Sequence, residues 1–541
     1  MKRRDLASAS LALLGSPLLA RHALAQGGAS GGTSGAAPGE GKPLVIAIGG
    51  AINSIDPHFF SATPNHTVAN HIFSRLMERD RQGNPIPGLA LSWAPVSETE
   101  WEFKLRPGVK WHDGQDFTAD DAIFTFVRAR DVPNSPGGLG PYLSSIAEAK
   151  APDPLTLRVI TKGPAPLLPR QLLQVHIVSR HVGEGATTDQ YNSGKAAIGT
   201  GPYKFVRYVP GDRLEMVRNE EYWGQKPEWT QVTLRQITNP GARVAALLSG
   251  DVGIIDTPPA GDLPRLRSSP QVTVETAPGL RLIYLGPDFS HATNPPEVTT
   301  KDGKPFDKSP LLDLRVRRAL NIAINRQALA ERVMQGMATP TGQWMPQGSF
   351  GYAPEVKVPP YAPDEARKLL TEAGFPEGFR ITLRTPNDRY PNDSETAQAV
   401  AQMWTRIGVQ TRIEAMPWSA YVPRATRQEY SMCLWGWSSS TGEGSNVMNS
   451  VLSTYNREQG RGSSNDGRYS NPELDALTVT TLSTIDDAKR EALIQKGVAM
   501  AMGDVALIPL FILTNAWATR KGLTYAAGAS EMTLAMDVRS A

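Results

Sequence analysis

Trp101-Glu102-Phe103-Lys104-Leu105-Arg106-Pro107-Gly108-Val109-Lys110-Trp111-His112-Asp113-Gly114-Gln115 leads, after Asp116, into Phe117-Thr118-Ala119-Asp120-Asp121. Trp101, Phe103 and Leu105 alternate with Glu102, Lys104 and Arg106, the period of a strand with one face buried and the other wet. Thr118 followed three residues later by Asp121 is a capping box, and it opens a helix carried through Ile123, Phe124 and Val127.

Both periods recur outward from this stretch. Leu44-Val45-Ile46-Ala47-Ile48 reads as a buried strand, followed by Gly49-Gly50 and an irregular loop, Asn53 to His58. Val316, Ala319, Leu320, Ala323 and Ile324 fall at helical spacing, with Arg315, Arg317 and Arg318 pointing elsewhere. Ser394 is placed to cap a helix bearing Val400, Trp404 and Ile407, which stops at Gly408 before a strand with Val409, Thr411 and Ile413. The class is α/β, without an internal repeat, and 44 prolines with 49 glycines require many irregular connections. At about 150 residues per domain the chain holds two to four domains.

The first residues do not read as part of a folded domain. Lys2, Arg3 and Arg4 precede an apolar run from Leu6 to Ala20 that is short for a membrane span, and Ala23-Leu24-Ala25 is a small-residue cleavage site. Residues 1–25 are expected to be a signal peptide cleaved near Ala25, with Arg3-Arg4 also fitting twin-arginine export. Residues 26–42 are expected to be a flexible linker. Four of the 56 basic residues and one of the 53 acidic ones lie in 1–25, leaving 52 of each. A neutral mature chain argues against nucleic acid or an anionic membrane as partner. The single cysteine, Cys433, sits in an apolar run and can form no internal disulfide, so burial must stabilise the exported chain.

Catalytic and cofactor signatures are missing, and neither cofactor nor metal is expected. Gly39-Glu40-Gly41-Lys42 continues into Pro43 and Gly194-Lys195 into Ala196, so neither forms a phosphate-binding loop. No serine nucleophile elbow follows a predicted strand. His66 and His71 are five apart, on different faces of a helix, and read as surface or loop-packing residues. His112-Asp113-Gly114 reads as a turn held by local backbone hydrogen bonds.

The order of several runs resembles one family. Gly88-Leu89-Ala90-Leu91-Ser92-Trp93, the stretch from Trp101 to Asp121, Ile198-Gly199-Thr200-Gly201-Pro202-Tyr203, Arg315-Val316-Arg317-Arg318-Ala319-Leu320, Ala366-Arg367-Lys368-Leu369-Leu370 with Glu372-Ala373-Gly374-Phe375, Trp404 to Val409, and Ile508-Pro509-Leu510 follow one another across the mature chain. Together they resemble the family 5 extracellular solute-binding proteins, the oligopeptide, dipeptide and nickel receptor group. The resemblance implies a bilobed periplasmic binding protein of type II with an extra inserted domain. Domain I would take 43–75, 195–285 and 510–541, domain II 76–194 and domain III 286–509, with hinge crossings near Tyr284-Leu285-Gly286 and Pro509-Leu510-Phe511. It implies a monomeric periplasmic receptor that hands a small molecule or peptide to ABC permease subunits.

The resemblance places the cleft lining after a Gly-Trp pair, here Trp435-Gly436-Trp437 with Ser438, Ser439, Ser440 and Glu443. Trp435 and Trp437 share one side of a strand, facing either core or ligand. Further candidates are Ser54 and His58, Arg389 and Tyr390, and Trp418; Arg389 could instead be solvated, Tyr390 a turn residue and Trp418 an interior plug. Peptide-binding relatives place an aspartate soon after the Gly-Trp and dipeptide receptors an arginine at the head of the helix ending in Trp404; this chain offers serines and Ser394 or Glu395 there. Strict dipeptide capture would then need Glu443 and Arg389 as charge partners. A chelated metal, a sugar-like or an opine-like compound is the alternative solute, and an exported hydrolase or a periplasmic chaperone the alternative function.

Overall fold

The computed structural model describes residues 42–541 apart from residue 440. The expected signal peptide, the linker up to Gly41 and Ser440 lie outside the described residues.

Three apolar cores form along the chain. The first gathers Leu44, Ile46 and Ile48 with Ile72, Phe73, Tyr203, Leu234 and, from the C-terminal segment, Trp517 and Val538. The second is local to the stretch between Leu76 and Ile177. The third encloses Leu285, Leu320, Leu383, Trp404 and Leu434, with an adjoining cluster around Leu282, Tyr284, Trp344 and Ile494.

The second core contains the stretch that opened the sequence reading. Glu100–Leu105 is a strand, Trp101, Phe103 and Leu105 point inward, and the four-stranded antiparallel sheet runs Ala90–Ser97, Glu100–Leu105, Thr156–Thr161, Ile146–Asp153. The Asp121 carboxylate accepts from the Thr118 backbone N–H at 3.0 Å and starts the helix Ala119–Arg128. Its buried stripe is Ala119, Ala122, Phe126 and Ala129, whereas Val127 is 69 % exposed. The expected stripe through Val127 is therefore wrong by one position. The small alanines, which carry little hydropathy signal, bring this helix close to the sheet.

The main sheet has twelve strands and links the first and third cores. Pro43–Ile48 lies at the heart of one half, parallel to both Gln231–Gln236 and Ile254–Asp256. Arg380–Pro386, Gln410–Met416 and Met432–Ser438 build the other half. Two long strands join the halves, Val272–Pro287 and Ile508–Arg520, antiparallel to each other. Leu282 and Tyr284 pack on one face of the first of them and Ile283 and Leu285 on the other, so it is covered on both sides. Their pairing breaks between Pro278 and Leu282. Gly279 sits in that break, where an added Cβ would come within 2.8 Å of the Leu513 carbonyl oxygen. Tyr284-Leu285-Gly286 and Pro509-Leu510-Phe511, where the crossings were expected, lie within the same two strands, and a second register break falls there, the pairing stepping from Ile283 with Phe511 to Tyr284 with Pro509 past Leu510.

Two helices show how local chemistry differs from the sequence expectation. Asp393–Arg406 starts one residue before Ser394: Asn392 adopts the left-handed conformation, and the Asp393 carboxylate accepts from the N–H groups of Arg389, Tyr390 and Ser394. In Leu314–Ile322, Arg317 is buried rather than exposed, donating to the Leu311 and Asp504 carbonyls and stacking over Phe289. Trp404 is fully buried and its indole N–H donates to the Leu320 carbonyl at 2.9 Å. Trp404→Ala is expected to cost about 3–5 kcal/mol, read from urea unfolding followed by circular dichroism.

Candidate ligand cleft

The irregular crossing positions a cavity. Immediately after Gly279, Leu280 and Arg281 emerge from the strand, and Arg281 lies directly across from Ser438 at the end of Met432–Ser438. A cavity of about 290 Å³ opens there, bounded by Ser61, Thr63 and His66, by Arg79, Tyr142 and Gln174, and by Arg281, Ser438, Ser439 and Glu531. A second cavity of about 490 Å³ has walls from Pro258, Met334, Met337, Arg389, Tyr390 and Asn515. Arg281 and Glu531 line both, and their side chains form an ion pair at 3.5 Å that is partly open to solvent. Segments adjoining all three cores supply these walls.

The electrostatics are dominated by guanidinium groups. Arg75 pairs with Glu78 at 2.5 Å. Arg79 lies half-buried beside it, and desolvation followed by the repulsion of Arg75 pulls its pKa down to about 9. The same burial, with the same two arginines, holds His66 neutral with a pKa of about 3. His66 and His71 both lie in the helix Thr63–Ile72 and are buried, His71 completely, which corrects their reading as surface residues. His71 bridges the Thr67 carbonyl and the Ala535 N–H.

Of the residues singled out from sequence, Ser438, Ser439, Arg389 and Tyr390 line the two cavities. The Ser439 hydroxyl also ties its own loop, donating to the Glu443 carbonyl at 2.8 Å and accepting the Glu443 N–H. Tyr390 donates to the Gly436 carbonyl at 3.2 Å, and Arg389 lies over the faces of Tyr390 and Trp418. The other six face elsewhere. Trp418 stacks on Tyr421 and Trp435 meets both edge-on, so this pair packs protein interior. Trp437 leans on the cluster around Trp344 and donates to Asn446. Glu443 is wholly buried and bonded to Arg490 and Ser445, which takes its carboxylate away from any ligand. Ser54 is bonded to Asn192, and His58 is buried against the His176 carbonyl and Arg128. The loop after the first strand does reach the cavity, but through Ser61, and the helix that follows it through Thr63 and His66.

Arg79, Gln174, Arg281 and Glu531 were not anticipated. They come from four distant places in the chain, and only the alternation along Val272–Pro287 hints that Arg281 faces the same side as its buried neighbours. Cys433 is buried and its thiol is raised far above the ordinary range, chiefly by burial. Among the described residues no group of three or more His, Cys, Asp or Glu side chains is arranged to hold a metal ion, and no helix is long and apolar enough to cross a membrane.

Comparison with known proteins gives a consistent result. Residues 84–459 match the model for "Bacterial extracellular solute-binding proteins, family 5 Middle". The chain is 28 % identical to the dipeptide-binding protein of Escherichia coli K12, covering 89 % of this chain and 90 % of that one. It is 28 % identical to heme-binding protein A of Haemophilus influenzae, covering 83 % of each. The solved structure of HbpA2 from Haemophilus parasuis superposes with a TM-score of 0.80 at 23 % identity, over 92 % of this chain and all of that one.

Two outcomes follow from the buried charges. Glu443→Gln leaves Arg490 with only the exposed Asp487 and is expected to cost about 3 kcal/mol, seen as a lowered thermal midpoint that Arg490→Met partly restores. His58, His71 and His112 have folded-state pKa values of about 4, below the value near 6.5 of the unfolded chain, so the unfolded state takes up protons first. The stability they contribute is complete above about pH 6.5 and is lost as pH falls towards 4. Thermal midpoints measured across that window should fall steadily, and less steeply in His58→Gln.

Proposed function

The chain belongs to family 5 of the bacterial extracellular solute-binding proteins, with the bilobed type II fold and the role of substrate-binding component of an ABC importer, and from that membership we propose that it captures a short peptide or peptide-like solute. The observation that carries this reading is the 290 Å³ cavity, whose walls come from the segments of all three cores. A solute held there touches both lobes at once. It therefore binds the closed arrangement better than the open one, and that difference in affinity is the only thing that can shift the population towards closure. The permease then reads the closed shape.

Domain I comprises 43–75, 195–285 and 510–541, domain II 76–194 and domain III 286–509. The three large cores support this division, with Val178 and Tyr191 at the end of the second segment packing into the first core. The crossings near Tyr284-Leu285-Gly286 and Pro509-Leu510-Phe511, together with the register break between Pro278 and Leu282, serve as the hinge, since irregular backbone there absorbs rotation with little loss of pairing. The signal peptide is removed near Ala25, and the mature protein works in the periplasm as a monomer, without catalysing a reaction on its solute.

Peptide is favoured over other solutes by the cavity walls. Ser61, Thr63, Gln174 and Ser438 are hydroxyl and amide groups suited to the C=O and N–H of a peptide backbone, directly or through water. The relative in Escherichia coli is named for dipeptides. Isothermal titration with dipeptides and tripeptides should give saturable heat, and free peptide at about 100 times Kd should add about 2.7 kcal/mol to stability. Absence of heat and stabilisation with every peptide, alongside binding of heme or a nickel chelate, would replace the peptide assignment while leaving the receptor role intact.

A further inference from the structure

The charges facing the two cavities do not balance. Among the described lining residues Glu531 is the only carboxylate, against the guanidinium groups of Arg75, Arg79, Arg281 and Arg389. Arg75 is matched by Glu78. Glu78 also acts on Arg79. Asp393 accepts three backbone N–H groups, and Asp256 lies 3.4 Å from Arg243, so these two carboxylates are committed elsewhere. Arg281 and Arg389 thus face one carboxylate, Glu531.

Both are placed to change partners. Arg281 and Glu531 stand at the junction of the cavities, 3.5 Å apart and partly solvated, a pairing that contributes little to stability. Trading it for stronger contacts in a closed, drier cleft costs little and gains more, because Coulomb interactions strengthen as water leaves. Arg389 is held by the faces of Tyr390 and Trp418, at 5.3 and 5.4 Å, and no carboxylate among the described residues pairs with it. Stacking fixes that guanidinium without neutralising it.

Building on the peptide reading, we infer that the preferred ligand is a short acidic peptide carrying one ammonium and at least two carboxylates, with Glu531 receiving the ammonium and Arg281 and Arg389 the carboxylates. Glu531 comes from the C-terminal segment, yet it reaches the cavity beside Arg281, which is the cross-strand partner of Ser438. It thereby brings a carboxylate to the end of Met432–Ser438, where the strand itself ends in hydroxyls. A neutral dipeptide leaves one of the two guanidinium groups unmatched, and a basic one adds repulsion.

Calorimetric titration of the full mature chain with Ala-Glu, Ala-Ala, Ala-Lys and N-acetyl-Ala-Glu tests this. Ala-Glu should bind about tenfold or more tighter than Ala-Ala, and Ala-Lys weaker than either. Arg389→Met should remove the preference for Ala-Glu over Ala-Ala, read as the ratio of their dissociation constants. Glu531→Gln should weaken Ala-Glu by about tenfold and bring it level with the acetylated peptide. Both side chains are solvent-exposed, and unchanged thermal midpoints would confirm that the variants fold. Equal affinity for Ala-Glu and Ala-Lys, or a preference that survives Arg389→Met, overturns the inference while the peptide reading stands. No binding of any of the four overturns both.

Discussion

The paired strands Val272–Pro287 and Ile508–Arg520 are the constraint on which the rest depends. Each carries residues of the first half of the main sheet at one end and of the second half at the other, so the two halves share backbone rather than merely touching. A ladder of this kind resists shear along its length but yields at the gap between Pro278 and Leu282, where hydrogen bonds are already missing. Gly279 is required at that point, because a side chain would strike the Leu513 carbonyl. The cavity opens beside the same gap, with Leu280 and Arg281 in its wall.

Several ion pairs lie in the interior. Glu443 with Arg490, Asp56 with Arg128 and Arg384 with Glu297 are all largely withdrawn from water. Such pairs contribute modestly to net stability but are costly to break, so they fix geometry more than they add free energy. In the cleft the logic is reversed. The Arg281–Glu531 pair is long and wet, and the Arg389 guanidinium rests on rings rather than on a carboxylate. Buried pairs hold the interior, and the charges lining the cavities are the loosely paired ones.

The elements were legible wherever a short-range pattern decides them. Trp101, Phe103 and Leu105 alternate because one face of their strand is wet, and the ordered motifs identify the family because each belongs to one local element. The pattern failed where alanine did the packing, as on Ala119–Arg128, and where a backbone conformation set the boundary, as at Asn392. It failed most in the cleft. Glu443 looked like a ligand carboxylate because it follows the Gly-Trp run, yet Arg490, 47 residues later, claims it. Glu531 looked like nothing in sequence, since its partner Arg281 lies 250 residues away. Charge pairing across such separations depends on the folded topology, which no window of sequence contains.

The lone thiol has a practical consequence. Cys433 is enclosed by Tyr421 and Tyr430 and held protonated by burial, so it offers almost no thiolate to a maleimide or a disulfide reagent. The chain is therefore a nearly silent background for thiol chemistry without any prior removal of a native cysteine. A fluorophore pair attached through one new cysteine on each lobe would report the angle between them in single molecules, in a protein whose own sulfur stays dark.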